Sequence, residues 1–332
     1  MPLCPFCQAE NPPGHTYCFK CGFNLSGATG RLAPGSLLEG RYLIVGVLGR
    51  GGMGAVYKAL DQRLDNMPVA IKEMSTGAVR AGDLEKAVAS FKREAKMLVG
   101  LRHPALPRVT DFFPYEERWY LVMDYIEGET LEAVARRRGP IPEAEVLDWA
   151  RQLCAVLDYL HGQEPPVIFR DLKPANIMLA PKGEIKLIDF GIARHFRPGK
   201  GEDTTLYGSV GFSAPEQYGE GQTDARADIY SLGATLHYLL TGADPAKKPF
   251  HFTPPGELVS VSPALEAAVM KAVAFDPGER PAGAREMLAL LPPETGAAAH
   301  GATTVLLTQR PEPEVTVSLP QAPVADKQPK PK

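Results

Sequence analysis

The chain has 332 residues, 44% hydrophobic and 23% charged, with a formal charge of −3. That length suits one large catalytic domain with small attachments, or two ordinary domains. The near balance of charge argues against nucleic-acid binding through bulk electrostatics, and no run approaches the ~18 apolar residues that cross a bilayer.

The N-terminus, Met1-Pro2-Leu3-Cys4-Pro5, lacks the basic-then-apolar pattern of an export signal, so the expected compartment is cytoplasmic. Four of the five cysteines follow at once, as Cys4-x2-Cys7 and Cys18-x2-Cys21 with ten residues between the pairs. A Cys-x2-Cys pair lets both thiolates reach one ion, and two pairs supply the tetrahedral sulfur shell of structural zinc. Gly22 comes next, where a tight turn around a metal needs permissive backbone. So short a segment buries no core, and metal binding has to supply its folding energy. Two disulfides or a redox Cys-x2-Cys are the alternatives; no export signal favours the first and no βαβ pattern the second. Cys4-Pro5-Phe6-Cys7 and Tyr17-Cys18-Phe19-Lys20-Cys21-Gly22 resemble the short zinc ribbons at the ends of many bacterial proteins. Residues 1–28 are therefore expected to be a ribbon with zinc on Cys4, Cys7, Cys18 and Cys21.

Residues 29–40 close a stretch rich in Gly, Ala, Ser and Leu, and read as a linker. Strands are expected at 42–45, 55–57, 68–72 and 119–123, and a helix over 83–100, where Val88, Phe91, Ala95 and Leu98 share one face. Beyond position 130 the pattern is mostly helical, most plainly at 143–162, 226–241 and 262–275. Cys154 adjoins the apolar stripe of the first of these and reads as a buried thiol. Seven prolines and no aromatics in residues 293–332 predict a disordered Pro-rich tail.

Gly49-Arg50-Gly51-Gly52-Met53-Gly54-Ala55-Val56 contains Gly-x-Gly-x-x-Gly-x-Val. Glycines at those positions let backbone N–H groups approach phosphates. A dinucleotide fold uses the same spacing but continues as a helix; here Ala55-Val56-Tyr57-Lys58-Ala59 continues as strand, so the loop is expected at a hairpin tip. Val69-Ala70-Ile71-Lys72 and a helix with Glu94 come next, then Phe169-Arg170-Asp171-Leu172-Lys173-Pro174-Ala175-Asn176, Asp189-Phe190-Gly191 and Ala214-Pro215-Glu216. In this order and spacing the strings resemble the protein kinases, serine/threonine type, over residues 41–292.

The resemblance implies an α+β, two-lobed fold, with a small β-rich lobe and a large helical lobe preceded by the ribbon. It implies ATP held by Leu48, Gly49, Arg50, Gly51, Gly52, Met53, Gly54, Ala55 and Val56, with Lys72 on the phosphates and Glu94 as its partner. Met123 is the implied gatekeeper, Asp124 and Ile126 the adenine hinge, and Ala70, Val56 and Met178 the adenine sandwich. Asp171 orients the acceptor hydroxyl, Lys173 neutralises the γ-phosphoryl, and Asn176 and Asp189 hold magnesium, for which manganese can substitute. Asp228 resembles the brace of the catalytic loop, and Arg280 the partner of Glu216. Phe169 departs from the family, which has His there; an aromatic ring keeps the packing and loses a polar link.

Lys173, two residues after Asp171, resembles the serine/threonine-specific class and implies protein substrates with Ser/Thr acceptors. Ser209 stands where the family's threonine bonds the catalytic aspartate and lysine. Arg170 implies control by activation-loop phosphorylation, with Thr204 and Thr205 as acceptors and Tyr207 less favoured. Thr303 and Thr304 are expected autophosphorylation sites in the tail. The ribbon is expected to dock a partner, with a stabilising cap and a redox- or zinc-responsive regulator as the alternatives. The rivals are a pseudokinase scaffold, opposed by the full set Lys72, Asp171, Asn176 and Asp189, and a small-molecule kinase, opposed by the activation segment that ends in Ala214-Pro215-Glu216.

Overall fold

A computed structural model of the chain describes residues 10–12, 32–51, 54–74, 89, 92, 95–116, 118–189, 194–195, 209–218 and 223–293. One compact unit ends at Pro292; the second is Pro293–Lys332, of which only Pro293 is described. The expected disordered tail and the expected ribbon cysteines lie outside the described residues.

Six strands make one antiparallel sheet: β1 (Leu37–Leu38), β2 (Tyr42–Gly51), β3 (Gly54–Asp61), β4 (Met67–Met74), β5 (Val109–Tyr115) and β6 (Arg118–Asp124). Their order is β1-β2-β3-β4-β6-β5. Side chains alternate across it with period two. Ala55, Tyr57, Ala59, Val69, Ile71, Tyr120 and Val122 point to one side and pack with Leu38, Tyr42 and Ile44 in an apolar cluster. The register sets Val56 opposite Lys72, Lys72 opposite Leu121 and Ala70 opposite Met123, so these five share the other face. That face meets the helical part, whose core takes in Leu121 and the flank of Met123.

The sheet begins earlier than the sequence pattern suggests. Leu37 and Leu38 pair with Leu43 and Tyr42, the Gly35 amide donates to the Ile44 carbonyl at 2.8 Å, and Leu32 packs on the sheet's apolar cluster. Residues 32–40, expected as linker, are thus part of the lobe; two leucines at its entry supply the apolar surface that docks it.

The helical part follows β7 (Glu129–Thr130). Helix α1 (Leu131–Arg138) starts where Thr130 Oγ1 accepts the Ala133 amide, and carries Glu132 in its first turn and three arginines in its last, as the helix dipole favours. Helix α2 (Glu143–His161) buries Val146, Ala150, Leu153, Leu157 and Leu160, the stripe expected from the sequence, with Cys154 beside it. Short strands β8 (Val167–Ile168), β9 (Ile177–Leu179), β10 (Ile185–Leu187) and β11 (Arg194–His195) follow, β9 pairing with β10 and β7, and β8 with β11. Helix α3 (Ala225–Thr241) is buried nearly all round; it is the post on which the others stack. A Cβ at its Gly233 would lie 2.7 Å from the Ala272 side chain, so glycine there lets α5 (Pro263–Ala272) lie close. The short α4 (Pro255–Leu258) and α6 (Ala284–Leu290) complete the set, and Ala284, Met287 and Leu291 close the core against α2. Of the helix expected over 83–100, residues 95–100 are helical, as are 89 and 92; the others lie outside the described residues.

Candidate active site

The glycine-rich segment is the hairpin between β2 and β3, with Gly49 opposite Val56, Arg50 opposite Ala55 and Gly51 opposite Gly54. Leu48 and Gly49 are exposed, and Gly54 has φ 137°, a conformation open to glycine and strained for other residues. Gly52 and Met53 at the tip lie outside the described residues, as does Glu94. Two places behind the hairpin in the same ladder, buried Lys72 extends Nζ to Asp189 Oδ1 at 2.9 Å. Asp189 follows β10 and is itself in the left-handed region, φ 65°. The contact joins residues 117 positions apart and draws the sheet face onto the segment after β10.

Asp171 lies at the centre of the second cluster. Its Oδ2 accepts from Lys173 Nζ at 2.9 Å and from Asn176 Nδ2 at 2.9 Å, and its Oδ1 accepts from Ser209 Oγ at 2.8 Å. Lys173 Nζ also reaches Ser209 Oγ at 2.5 Å. Asn176 Nδ2 bonds the Asp171 carbonyl as well, at 2.9 Å, which fixes the amide orientation. The Ile188 amide donates to the Asn176 carbonyl at 2.9 Å, so Asn176 and Asp189 stand on adjoining pieces of chain. A carboxylate and an amide carbonyl are oxygen ligands of the kind a hard divalent cation takes. Among the described residues no group of three or more His, Cys, Asp or Glu could hold a metal by itself.

The backbone beneath this cluster is held from α3. Buried Asp228 accepts the Phe169 amide at 2.8 Å and the Arg170 amide at 2.7 Å, and His161 Nε2 lies 2.8 Å from its Oδ2. Arg170 has φ 70°, a left-handed conformation that a non-glycine residue keeps only where its surroundings impose it. Phe169 is packed in the main core. Gln217 donates to the Arg170 carbonyl at 2.9 Å and accepts the Ala214 amide at 3.0 Å, tying the catalytic loop to the end of the activation segment. Sequence reasoning missed His161, Gln217 and their links; a His ending a helix and a Gln after Glu216 carry no local signal, because their partners are 67 and 47 residues away.

Arg280 meets Glu216 in a two-pronged pair, Nη1 to Oε1 at 2.7 Å and Nη2 to Oε2 at 3.0 Å. Its remaining N–H groups go to the carbonyls of Ala274, Arg226 and Phe275. All five guanidinium donors are thereby satisfied, which makes a nearly buried charge tolerable.

In the hinge, Met123, Asp124, Ile126 and, on β9, Met178 are half-buried. The Asp124 amide is spent on the Arg108 carbonyl at 3.0 Å and its carboxylate on the Arg108 amide and guanidinium, so that N–H already has a protein partner. Arg170 is a buried side chain, while Thr204, Thr205 and Tyr207 lie outside the described residues. Burial pushes the Cys154 thiol up to about 12, which keeps it protonated and inert at neutral pH. No helix among the described residues is long and apolar enough to cross a membrane.

Comparison with known proteins gives the same picture from outside. Residues 42–253 match the protein kinase domain family. The chain is 34% identical over 278 residues to serine/threonine-protein kinase F of Synechocystis, covering 77% of this chain and 55% of that protein. It is 32% identical over 268 residues to the probable serine/threonine-protein kinase PknB of Lactococcus lactis, covering 76% and 42%. With serine/threonine-protein kinase PknL of Mycobacterium bovis the identity is 36% over 247 residues, covering 74% and 59%. The chain thus spans about half the length of the curated relatives it matches.

Proposed function

This chain belongs to the protein kinase domain family, and from that premise we propose that it is a serine/threonine protein kinase of bacterial type. It transfers the γ-phosphoryl group of ATP to Ser and Thr hydroxyls of proteins, its own included. The observation that carries the reading is the cluster at Asp171, where a carboxylate and the Lys173 ammonium both contact a serine hydroxyl, that of Ser209. A hydroxyl so placed is what a transfer site has to hold: Asp171 orients and takes the proton, and Lys173 neutralises charge that develops on the transferring group.

Lys72 fits the α/β phosphates of ATP, presented from the sheet face that also carries Val56, Ala70 and Met123 for the adenine. Leu48 and the glycine hairpin cover the phosphates, with backbone N–H groups as donors. Asn176 and Asp189 are the residues that would hold magnesium, which when bound screens the charge of the phosphates. Catalysis here is positioning and charge neutralisation, with little covalent work for the protein. A cavity of about 220 Å³ beside Lys173, lined by Phe212, Tyr238, Glu132 and Asp244 among others, is where a side chain of the acceptor polypeptide enters.

Around this core we assign, from the sequence, a zinc ribbon on Cys4, Cys7, Cys18 and Cys21 that docks a partner, a cytoplasmic location, and control by phosphate on Thr204 and Thr205. The test is phosphosite mapping by mass spectrometry after incubation with magnesium-ATP and a mixed protein acceptor, beside Asp171→Asn. Phosphoserine and phosphothreonine formed by the native chain alone support the reading. Equal incorporation in both, or none in the native chain, sinks it.

A further inference from the structure

The back of the sheet carries a buried charge that the transfer chemistry does not use. Lys72 and Glu73 are neighbours on β4, so their side chains leave the strand on opposite faces. Lys72 points into the cleft toward Asp189, and Glu73 points away from it and is fully buried. The register sets Glu73 opposite Ala55, which makes Tyr57 its diagonal neighbour on β3, within reach of an aromatic side chain. Tyr57 Oη donates to Glu73 Oε2 at 2.5 Å. On the other side Glu73 stands opposite Tyr120, so Arg118 is the diagonal neighbour on β6, and its Nη1 makes an ion pair with Glu73 Oε1.

These polar groups adjoin the apolar cluster of Tyr42, Ile44, Ile71 and Val122. An apolar side chain at position 73 would fill the space without desolvating a carboxylate, and a buried ion pair is often no more stabilising than such a replacement. What the pair does supply is direction. Two fixed hydrogen bonds hold the rotation of β4 about its own axis, and the same rotation aims Lys72. The hydroxyl of Tyr57 has a second contact, accepting the Leu32 amide at 3.4 Å, while the Leu32 side chain packs on the same cluster. Leu32 comes eleven residues after Cys21 in the chain.

We propose that Glu73, held by Tyr57 and Arg118, is a positioning residue for Lys72, and that the N-terminal segment acts on the ATP site through the Leu32 amide and the Tyr57 hydroxyl. The proposal rests on the reading of Lys72 as the lysine that holds the phosphates of ATP. It gives the segment before Leu32 a route to the nucleotide that bypasses Asp171. A pull on Leu32 changes the hydrogen bond at Tyr57, then the setting of Glu73, then the aim of Lys72.

The test uses the full chain and measures ATP affinity by calorimetry, the rate at saturating ATP, the KM for a protein acceptor, and the melting temperature. Tyr57→Phe keeps the ring and removes the hydroxyl; Glu73→Gln keeps the shape and removes the charge. Each is expected to weaken ATP binding by about threefold to tenfold, with the saturated rate and the acceptor KM changed by less than about twofold. Leu32→Pro removes the amide donor but also fixes φ and replaces the side chain that packs on the cluster, so Leu32→Ala, which keeps the amide, is its control; beyond that control it should weaken ATP binding by about twofold to threefold, and in the Tyr57→Phe background this excess should vanish. Unchanged ATP affinity in Tyr57→Phe overturns the proposal, as does a Leu32→Pro effect that adds in full, or an acceptor KM that moves as much as the ATP affinity. Should Glu73→Gln not fold, Tyr57→Phe and its pairing with Leu32→Pro decide alone. A native chain that binds no ATP at all is a different result: it removes the kinase reading, whatever the variants do.

Discussion

The catalytic loop and the glycine hairpin face the same chemistry and are held by different means. The loop is pinned through long-range buried contacts: Asp228 reaches back 58 and 59 residues to two of its amides, Gln217 reaches its Arg170 carbonyl, and Arg280 locks Glu216 from 64 residues away. The segment from Leu48 to Val56 rests on sheet ladders alone, β2 with β3 and β3 with β4, and meets solvent at Leu48 and Gly49. A group that must meet a hydroxyl within hydrogen-bond reach needs fixed geometry, since small misplacements cost large factors in rate. A cover that must admit and release a nucleotide needs low local stability, which short-range contacts supply. Mutations on the two sides should therefore fail differently, with global loss on the pinned side and local loss on the hairpin.

The largest effect is expected at Asp171 itself. Asp171→Asn keeps the shape and loses the proton acceptor, so the saturated transfer rate should fall by about 10²- to 10⁴-fold while ATP affinity holds. Single-turnover rates beside ATP titrations check this. A rate within tenfold of the native chain would mean that Asp171 only positions the hydroxyl.

Arg280→Met comes next and tests whether the pinning is global. It strips Glu216 of its partner and removes the guanidinium donors of three carbonyls, at a cost of about 3–5 kcal/mol. Denaturant unfolding should show one cooperative transition shifted as a whole. A stable protein with lost activity would instead make the pair a local device of the activation segment.

Gly54→Ala is the matching change in the hairpin. At φ 137° an alanine is strained by about 1–3 kcal/mol, but the hairpin can relieve that strain by opening. The melting temperature should hardly move, while ATP affinity drops by about fivefold or more. A fall in melting temperature comparable to that of Arg280→Met would erase the distinction between the two regions.

The same contrast explains what the sequence reveals. The hairpin was legible because everything it needs is local: glycines, then an extended run rather than a helix. Lys72, Asp171, Asn176 and Asp189 were legible through ordered strings, and α2 and α3 through their apolar periods. Strand β5 was not, because an edge strand tolerates Asp111 and Pro114 and shows only half-burial, so its alternation is blurred. Residues 32–40 were misjudged as linker because a two-residue strand leaves no period to read. The links that pin the loop were invisible for a physical reason. His161 with Asp228 and Gln217 with Arg170 join residues 67 and 47 positions apart in the chain, and pairing of that kind is set by the fold rather than by spacing.

The smallest effect concerns pH, and it should fall on the pinned side. His237 lies on α3, nine residues after Asp228, with Nε2 2.8 Å from the Thr253 carbonyl and its ring edge-on to Phe252. Burial lowers its pKa, partly offset by the hydrogen bond to Thr253. The unfolded chain, with His near ~6.5, therefore binds a proton at pH values where the folded chain does not. Stability then rises with pH through that window and is lost as pH falls below the unfolded value toward the folded one. Thermal melts from pH 7.5 to 5.5 should show a decline that shrinks in His237→Gln, whose amide nitrogen can still donate to the Thr253 carbonyl. An identical decline in the variant would move the acid sensitivity to His103, whose pKa burial also lowers and which stands outside α3. In that case the helix that anchors the catalytic loop would be indifferent to mild acid, and pinning by Asp228 would persist wherever the carboxylate does.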